Sequence, residues 1–573
     1  MKKNKSLLNR MGSYIRVFKG VKLPWLLIIV STALSIAMGS SELMVATLTG
    51  SVIDGTQNAI NSKELLEYIA VTLFSAALSI ASAYSTRKME EVITMRVRVK
   101  LWRKIMHLPT SYYDADSGNM LISRVTSDAS APSALFSTIV VSITSVVTVV
   151  QAFIQLYSTN VMLANYSLIM VPVIMATFAL YSFWQFKLGV YSTKVTATSL
   201  GYLAERVRSF RLIKSAVAEK LEAKLGNRTF KNMYIADLLV WLSTTVFQVI
   251  SSLTSIVFIV IVFVIGGQLI PKGEVTVGDL TSFYMITTVV GTHLGLFFIN
   301  AGSLFSTFGT MKKISQVMDT PDEKEKGTDV PLLCSDIVFN DVTFAYNEER
   351  DVIKNLSVNI PMGKVTAVIG GNGAGKSTLF KLITRLYEPK SGVLSFAEDD
   401  ISKYNLTQWR DRFAYVFQKD PLIGGTVREN LTYGLDREVS DEELAEAAKK
   451  ANCYDCIMEK PNGFDEDVGL GGSNFSGGQG QCISIARAML RQADILLLDE
   501  ATSNLDVLSE AAVTEAMDNL MQDKTTIMIA HNYAATRNAD YIIVMKDGTL
   551  EAAGTPEELL ETNEYYRAFV NIL

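Results

Sequence analysis

The first 310 residues consist of long apolar runs with few polar positions inside them. Six such runs lie near residues 24–49, 65–86, 132–157, 161–186, 236–270 and 277–306. A membrane-crossing helix needs about 20 apolar residues, and the stretch 256–265 lacks the polar face that a helix of a soluble bundle would show. The pattern therefore predicts an α-helical transmembrane domain with six spans over residues 1–310.

Two long segments between the predicted spans, 87–131 and 187–235, have helical patterns, for instance over 95–106 and 204–220. At 1.5 Å per residue, the apolar run 236–270 alone would be about 52 Å long, against a hydrocarbon core of about 30 Å. We therefore expect helical extensions that project from the membrane and act as cytoplasmic coupling loops to a second domain.

The pattern changes after residue 310. Residues 311–335 are largely polar and predict a linker, whereas residues 336–573 alternate short apolar runs with turns that contain glycine. The apolar runs 365–369 and 495–498 have the length and composition of buried strands. Residues 336–573 are therefore predicted to form an α/β domain with a helical subdomain.

Charge divides the chain in nearly the same place. Residues 1–330 carry 31 Lys and Arg against 20 Asp and Glu, whereas residues 331–573 carry 22 against 38. A basic, apolar half is typical of a membrane domain with cationic cytoplasmic loops. The acidic half gives no reason to expect a nucleic-acid partner.

Basic residues also predict the orientation in the lipid bilayer. Seven, eight and nine Lys and Arg lie in 2–22, 87–130 and 188–235, whereas the short loops on the opposite side contain only Lys63 and Lys272. The positive-inside rule then assigns the N-terminus, both long segments and the acidic half to the cytoplasm. We expect a multi-pass protein of a bacterial plasma membrane.

A glycine-rich stretch follows the predicted strand 365–369 and fits the phosphate-loop pattern G-x-x-x-x-G-K-[ST]. Glycines let backbone amides surround a polyphosphate, and a helix that starts near Lys376 points its positive end at the same anion. Lys376 can reach the β- and γ-phosphates, and Ser377 can hold Mg²⁺. The expected ATP-binding residues of this loop are Gly370, Gly371, Asn372, Gly373, Ala374, Gly375, Lys376, Ser377 and Thr378.

The apolar run 495–498 ends in two carboxylates. Asp499 suits Mg²⁺, directly or through water, and Glu500 is placed to polarise the attacking water as a general base. Together with the phosphate loop, this predicts a P-loop ATPase domain that uses ATP and Mg²⁺.

A second candidate anion site lies farther along the chain, where Ser476, Gly477, Gly478 and Gln479 precede a helical stretch at 483–490. A serine and glycine amides that open a helix bind anions. One ATP does not readily occupy both this site and the phosphate loop of one small domain. We therefore expect this site to contact ATP held by a second copy of the chain.

In residue types and order, these motifs resemble the ATPase domain of ATP-binding cassette (ABC) transporters, and the whole chain resembles an exporter-type half-transporter. Segments 109–128 and 205–219 resemble the coupling loops of exporters. The fused layout favours export over import. The resemblance further implies roles for Tyr346 in stacking on adenine, Gln418 in approaching Mg²⁺ and water, Asp506 in the loop that crosses the dimer interface, and His531 in contacting the γ-phosphate.

The chain departs from the family pattern near Ser476. Phe475 replaces a usual leucine, Gly480 and Cys482 replace residues that are often basic, and Leu470 replaces a common glutamate. The resemblance gives that glutamate a role in communication between the ATPase domain and the coupling loops, so its replacement concerns coupling and not ATP binding. Cys453 and Cys456 have the spacing of half a metal site, but no second cysteine pair or histidine lies nearby. We expect these cysteines to be reduced and structural.

Three questions stay open at this level. The hydrolytic residues favour a homodimer, whereas the altered flank of Ser476 would also suit a heterodimer with a paralogous half-transporter. An ATP-gated channel or membrane sensor of the same architecture is the alternative function. The transported substrate is unidentified, and Glu42 inside the first span either faces a substrate cavity or is satisfied by a neighbouring helix.

Overall fold

The computed structural model describes residues 17–56, 62–115, 118–331, 335–347, 350–417, 422–499, 507–530 and 533–571. It divides into two compact units. One comprises Met1–His107 with Ser117–Pro321, and the other comprises Leu108–Asp116 with Asp322–Leu573. Each unit is described separately below.

Long helices dominate the first unit. Among the described residues, six helices are long and apolar enough to cross a membrane, which confirms the six-span prediction. The helices up to the second unit's first strand are α1 (Trp25–Thr56), α2 (Ser62–Met106), α3 (Thr110–Ala115), α4 (Gly118–Thr126), α5 (Ala131–Thr159), α6 (Val161–Arg208), α7 (Phe210–Ser215), α8 (Glu219–Leu269) and α9 (Val277–Asp319), of which α3 groups with the second unit.

The spanning helices continue well past the apolar runs. Helix α8 has 51 residues, so it is about 76 Å long at 1.5 Å per residue. The expected helix over 204–220 is interrupted, because α6 ends at Arg208 and a short α7 precedes Val217, whose φ is 53°. A β-branched residue in that left-handed region breaks a helix. Helix α9 continues to Asp319, into the segment 311–335 that was expected to be a linker.

Hydroxyl side chains join neighbouring helices of the first unit. Ser31 on α1 lies 2.9 Å from Ser85 on α2, measured between the Oγ atoms. At the other end of α1, the Asp54 carboxylate accepts hydrogen bonds from the Thr276 hydroxyl at 2.6 Å and the Gly278 amide at 2.8 Å. Small polar residues therefore allow close helix contact, and Asp54 caps the start of α9.

The second unit contains two sheets and a set of short helices. A four-stranded antiparallel sheet has the order β2-β1-β4-β5, and a six-stranded sheet has the order β10-β9-β3-β8-β7-β6. The strands are β1 (Ile337–Phe344), β2 (Ile353–Ile360), β3 (Val365–Gly370), β4 (Ser391–Phe396), β5 (Asp399–Asp400), β6 (Phe413–Val416), β7 (Ile495–Asp499), β8 (Thr525–Ile529), β9 (Tyr541–Lys546) and β10 (Thr549–Gly554).

Helices cover the larger sheet and form a separate group between β6 and β7. The ten helices are α10 (Lys376–Ile383), α11 (Leu406–Asp411), α12 (Val427–Leu431), α13 (Asp441–Lys450), α14 (Tyr454–Met458), α15 (Gly477–Leu490), α16 (Val507–Met521), α17 (Tyr533–Thr536), α18 (Pro556–Thr562) and α19 (Glu564–Val570) within the described ranges. Helices α12 to α15 are the helical subdomain. The α/β fold with a helical subdomain is confirmed.

The strands that carry the site are central and buried. Strand β3 pairs in parallel with β8 and β9, and β7 pairs in parallel with β8 and β6. Residues 495–498 of β7 are all buried, as expected for a strand covered on both faces. The carboxyl ends of β3, β7 and β8 consequently meet at one edge of the sheet, where ligands bind in open parallel sheets.

Candidate functional site

The phosphate loop connects β3 to α10, and its backbone explains two of its glycines. Gly370 has a φ of 150° and Gly375 a φ of 102°, both rarely adopted by other residues. A Cβ at Gly370 would lie 2.2 Å from the Met545 carbonyl oxygen, so a side chain there would clash with backbone. Helix α10 begins at Lys376, as predicted, and its free amides open onto the loop.

Lys376 holds its charge inside this loop. The side chain is 6% exposed, and its Nζ donates to the carbonyl oxygens of Gly370 at 2.8 Å and Gly371 at 3.2 Å. The ammonium and the positive end of α10 therefore act on the same small volume, which attracts an anion such as a triphosphate. Ser377, the next residue, is exposed.

Asp499 lies at the same edge of the sheet as the phosphate loop. It ends β7 and pairs in register with Ile529 of β8, which pairs in turn with Val368 of β3. One parallel strand therefore separates Asp499 from the strand that leads into the loop. Carboxylate and hydroxyl oxygens are ligands suited to Mg²⁺, and the metal-binding role of Asp499 and Ser377 stays a prediction.

Tyr346 belongs to a cluster of aromatic rings beside α10. Its ring is 44% exposed and packs edge-on against Phe344, with centroids 4.9 Å apart. Its hydroxyl lies 3.1 Å from the Thr378 hydroxyl oxygen. The exposed ring therefore lies beside Thr378 of the phosphate loop, and its role in stacking on adenine stays a prediction.

Ser476 forms the N-cap of α15, a helix of 14 residues. Its hydroxyl accepts from the Gln479 amide at 3.3 Å, and the Gln479 side chain accepts from the Ser476 amide at 2.9 Å. This capping box leaves the amides of Gly477 and Gly478 at the positive end of the helix. The helix starts six residues before the stretch 483–490 that the sequence indicated.

Four predicted site residues lie outside the described residues. They are Gln418, Glu500, Asp506 and His531. Their roles as catalytic, metal-binding or interface residues stay predictions.

Comparison with known proteins decides the family. Residues 26–294 match the ABC transporter transmembrane region, and residues 353–503 match the ABC transporter family. An uncharacterized ABC transporter ATP-binding protein of Bacillus subtilis, YfiC, is 30% identical over 580 residues, which cover 99% of this chain and 94% of that protein. The chain belongs to the ABC transporter family.

Other relatives of this ABC transporter match over nearly their full length. A multidrug resistance ABC transporter ATP-binding and permease protein of Lactococcus lactis is 28% identical over 97% of this chain and 95% of its own. An ATP-dependent lipid A-core flippase of Vibrio cholerae is 29% identical over 97% and 96%. A bacterial Atm1-family ABC exporter solved with ATP bound has the same fold, with a TM-score of 0.81, 21% identity and coverage of 95% and 97%.

The ABC transporter is thus an exporter-type half-transporter, with one membrane domain and one ATPase domain in a single chain. It binds nucleotide, and its ATP hydrolysis is coupled to transport across the membrane in which it is embedded.

Tyr387 and Lys381 complete the aromatic cluster around Tyr346, although neither is among the site residues predicted from the sequence. Tyr387 packs edge-on against Tyr346 at 5.1 Å between centroids, and the Lys381 Nζ lies 4.9 Å from the Tyr346 ring centroid. The Tyr387 hydroxyl donates to the Asp114 carboxylate. The pKa of Tyr387 is raised, mainly because the side chain is buried and secondly because of this hydrogen bond. Tyr387 lies in a loop after α10, where no sequence signal marks it.

The departures near Ser476 fall in two environments. Leu470 is 92% exposed, so an apolar side chain stands in solvent where the family commonly has a glutamate. Cys482 is buried inside α15, and burial raises the pKa of its thiol to about 12. Burial also raises the pKa values of Cys453 and Cys456. Among the described residues, no group of His, Cys, Asp and Glu could hold a metal ion by itself.

In the membrane unit, Glu42 has a histidine as its neighbour. The Nε2 atom of His293 on α9 lies 3.4 Å from the Glu42 carboxylate on α1. The His293 side chain is 4% exposed and that of Glu42 is 40% exposed. This contact matches the alternative in which a neighbouring helix satisfies Glu42, and the partner on that helix is the buried His293.

Proposed function

We propose that the chain works as a homodimer in which each ATP is held between two copies. Tyr346, Lys376 and Ser377 of one copy bind the nucleotide, and Ser476 and Gly478 of the other close over the γ-phosphate. ATP then favours closure because its charge bridges the interface, and hydrolysis removes that bias. Closure and reopening switch the membrane domain between inward-facing and outward-facing states.

The observation that carries this proposal is the pair of separate helix N-termini in one ATPase domain. Helix α10 begins at the phosphate loop, and α15 begins at the Ser476 capping box in the helical subdomain. Each presents free amides to an anion. A second ATPase domain turned head to tail would bring the α15 terminus to the ATP on its partner's loop.

Within this proposal, Ser377, Asp499 and Gln418 would hold Mg²⁺, which would neutralise phosphate charge. Glu500 accepts a proton from the attacking water, and His531 contacts the γ-phosphate. Gln418 also approaches that water, and Asp506 lies in the loop that crosses the interface.

The basic segments support a location in a bacterial plasma membrane. The N-terminus, the segments 87–131 and 187–235 and the ATPase domain 336–573 would then lie in the cytoplasm. With residues 1–310 as the membrane domain and 311–335 as the linker, the transporter moves a substrate from the cytoplasm or inner leaflet outward.

A mixed-dimer experiment tests the shared ATP site. Two differently tagged copies are co-purified in a Glu500→Gln background, which blocks hydrolysis, and bound ATP is counted. If Lys376→Ala and Ser476→Ala are on the same copy, both shared sites are damaged and little ATP is bound. If they are on different copies, both defects fall in one site, and one ATP per dimer is bound.

If each ATP site lay within one copy, the two substitutions on the same copy would leave one ATP per dimer, and on different copies they would leave little ATP. That result would contradict the proposal. Mass determination of the purified complex separates a homodimer from a heterodimer. Uphill, ATP-dependent accumulation in inside-out vesicles would support an exporter, whereas an ATP-gated channel would only equilibrate its substrate.

A further inference from the structure

A cavity of about 410 Å³ lies between α6, α8 and α9 in the membrane unit. Its volume is in the range of small-molecule binding sites. Of the described residues that line it, none carries a charge. A charged ligand would lose hydration there without gaining a counter-charge, which disfavours its binding.

The walls of the cavity are rich in hydroxyl groups that already donate hydrogen bonds to backbone carbonyls. Thr254 donates to the Ile250 carbonyl at 2.8 Å, and Thr288 and Thr292 donate to carbonyls one turn earlier at 3.0 Å each. A hydroxyl that donates to its own helix keeps lone pairs with which it can accept. The cavity therefore mainly offers hydrogen-bond acceptors.

Aromatic rings form another part of the lining. Phe178 on α6 and Phe247 on α8 both line the cavity and pack edge-on, with centroids 4.9 Å apart. A Cβ at Gly295 of α9 would lie 3.0 Å from the Phe178 ring, so this glycine lets the ring pack closely. The rings favour a ligand with an aromatic body over a flexible acyl chain.

From these features we propose that the cavity binds the transported substrate, and that this substrate is a neutral small molecule with an aromatic body and hydroxyl or amide donors. This inference rests on the proposed export function and adds the substrate class. The donors meet the threonine oxygens, and the aromatic body packs on the half-buried Phe247, which the buried Phe178 contacts edge-on. A lipid acyl chain would fill the volume but leave the hydroxyl oxygens unused.

Gly291 provides a direct test, because it lines the cavity and a Cβ there meets no atom within 4 Å. The series Gly291→Ala, Gly291→Leu and Gly291→Phe fills the cavity stepwise. The matched control is Gly309→Phe on the same helix, where a Cβ also meets no atom within 4 Å and which does not line the cavity.

The probe is radiolabelled chloramphenicol, a neutral aryl compound with hydroxyl and amide donors. It is bound without nucleotide to the full-length transporter in phosphatidylcholine nanodiscs. We expect its affinity to fall stepwise along the Gly291 series, by about tenfold or more for Gly291→Phe, and to change less than about twofold for Gly309→Phe. Thermal unfolding of each variant shows that the protein is folded.

Removing acceptors without changing shape tests the hydrogen bonds. Thr288→Val and Thr292→Val should each weaken chloramphenicol binding by about three- to tenfold. Tetraphenylphosphonium, an aryl cation without donors, should bind at least about tenfold more weakly than chloramphenicol to the unmodified protein.

Equal affinity for the two probes, or chloramphenicol binding that the Gly291 series leaves unchanged, would overturn the inference. Loss of chloramphenicol binding upon addition of excess oleic acid, with no effect of the threonine variants, would indicate an acyl-chain site and would also overturn it. The ATP count in mixed dimers does not depend on the cavity, so a failure of the probe-binding test leaves the proposed function standing and the two failures can be told apart.

Discussion

Replacing Lys376 by methionine separates its contribution to ATP binding from its contribution to folding. Methionine keeps an unbranched stem and removes the ammonium that donates to the carbonyls of Gly370 and Gly371. Those two charge-assisted bonds are worth about 1.5–3 kcal/mol each. Burying the ammonium costs several kcal/mol, so removing bonds and charge together should change the free energy of unfolding by only about 1 kcal/mol.

The effect on ATP should be much larger. In the proposed ATP complex the Lys376 ammonium pairs with the triphosphate, and truncating one partner of a desolvated charge pair costs about 2–5 kcal/mol. We take about 3 kcal/mol, which corresponds to a loss of ATP affinity of about 150-fold.

Lys381→Met is the matched control. It removes another ammonium from α10, one that lies 4.9 Å from the Tyr346 ring centroid and outside the phosphate loop. A cation–π contact at such a site is worth about 0.5–1 kcal/mol. Lys381→Met should therefore change the affinity for ATP by no more than about two- to fivefold.

Both substitutions are made in the Glu500→Gln protein, and binding of a fluorescent ATP analogue in nanodiscs measures the affinity loss of each. Denaturant unfolding measures the free energy of unfolding. Similar affinity losses in the two variants would refute the assignment of Lys376 to the phosphates. A fall of more than about 3 kcal/mol in the free energy of unfolding would refute the balance between its bonds and its burial.

Three further predictions concern contacts outside the phosphate loop. Cys482 should react slowly with iodoacetamide at pH 7 and faster as pH approaches about 12, which mass spectrometry of the native protein measures; rapid labelling at pH 7 would contradict its burial. Tyr387→Phe should lower the unfolding free energy of the ATPase unit by about 1 kcal/mol. The folded pKa of Tyr387 is raised above the ordinary value of 10.0. The stabilisation that its neutral hydroxyl provides is therefore complete below pH 10 and decreases progressively as pH rises above 10. Between pH 10 and 11 the variant, which lacks this hydroxyl, should lose less stability than the wild type. Asp54→Ala should lower the unfolding midpoint more than Asp54→Asn does, because asparagine retains one acceptor for the Thr276 hydroxyl or Gly278 amide; equal midpoints would argue against the cap.

Much of the ATP site was predictable because its parts are local. A strand, a glycine loop and the first turn of a helix occupy consecutive residues from Val365 to Ile383, so residue types alone report the backbone that they adopt. The anion site at the helix start near Ser476 was predicted from the same kind of local pattern, whereas its capping box was not, although its two hydrogen bonds join residues only three positions apart.

Contacts between distant residues were not predictable in this way. Tyr387 and Asp114 are 273 positions apart, and Glu42 and His293 are 251 apart. The periodicity of each helix shows which residues are apolar and leaves open which neighbour each face meets. The interruption at Val217 was missed because a single left-handed residue has little effect on the pattern around it.

The amino-acid sequence by itself determined the six spans, the phosphate loop with Lys376 and the family to which the chain belongs, because apolar length and contiguous motifs act over short distances along the backbone. Only the tertiary structure decided that Tyr346 shares a ring cluster with Tyr387, and that hydroxyls and aromatic rings from α6, α8 and α9 surround one cavity. Packing brings together residues from separate helices, and that arrangement depends on the fit of whole surfaces rather than on any one segment.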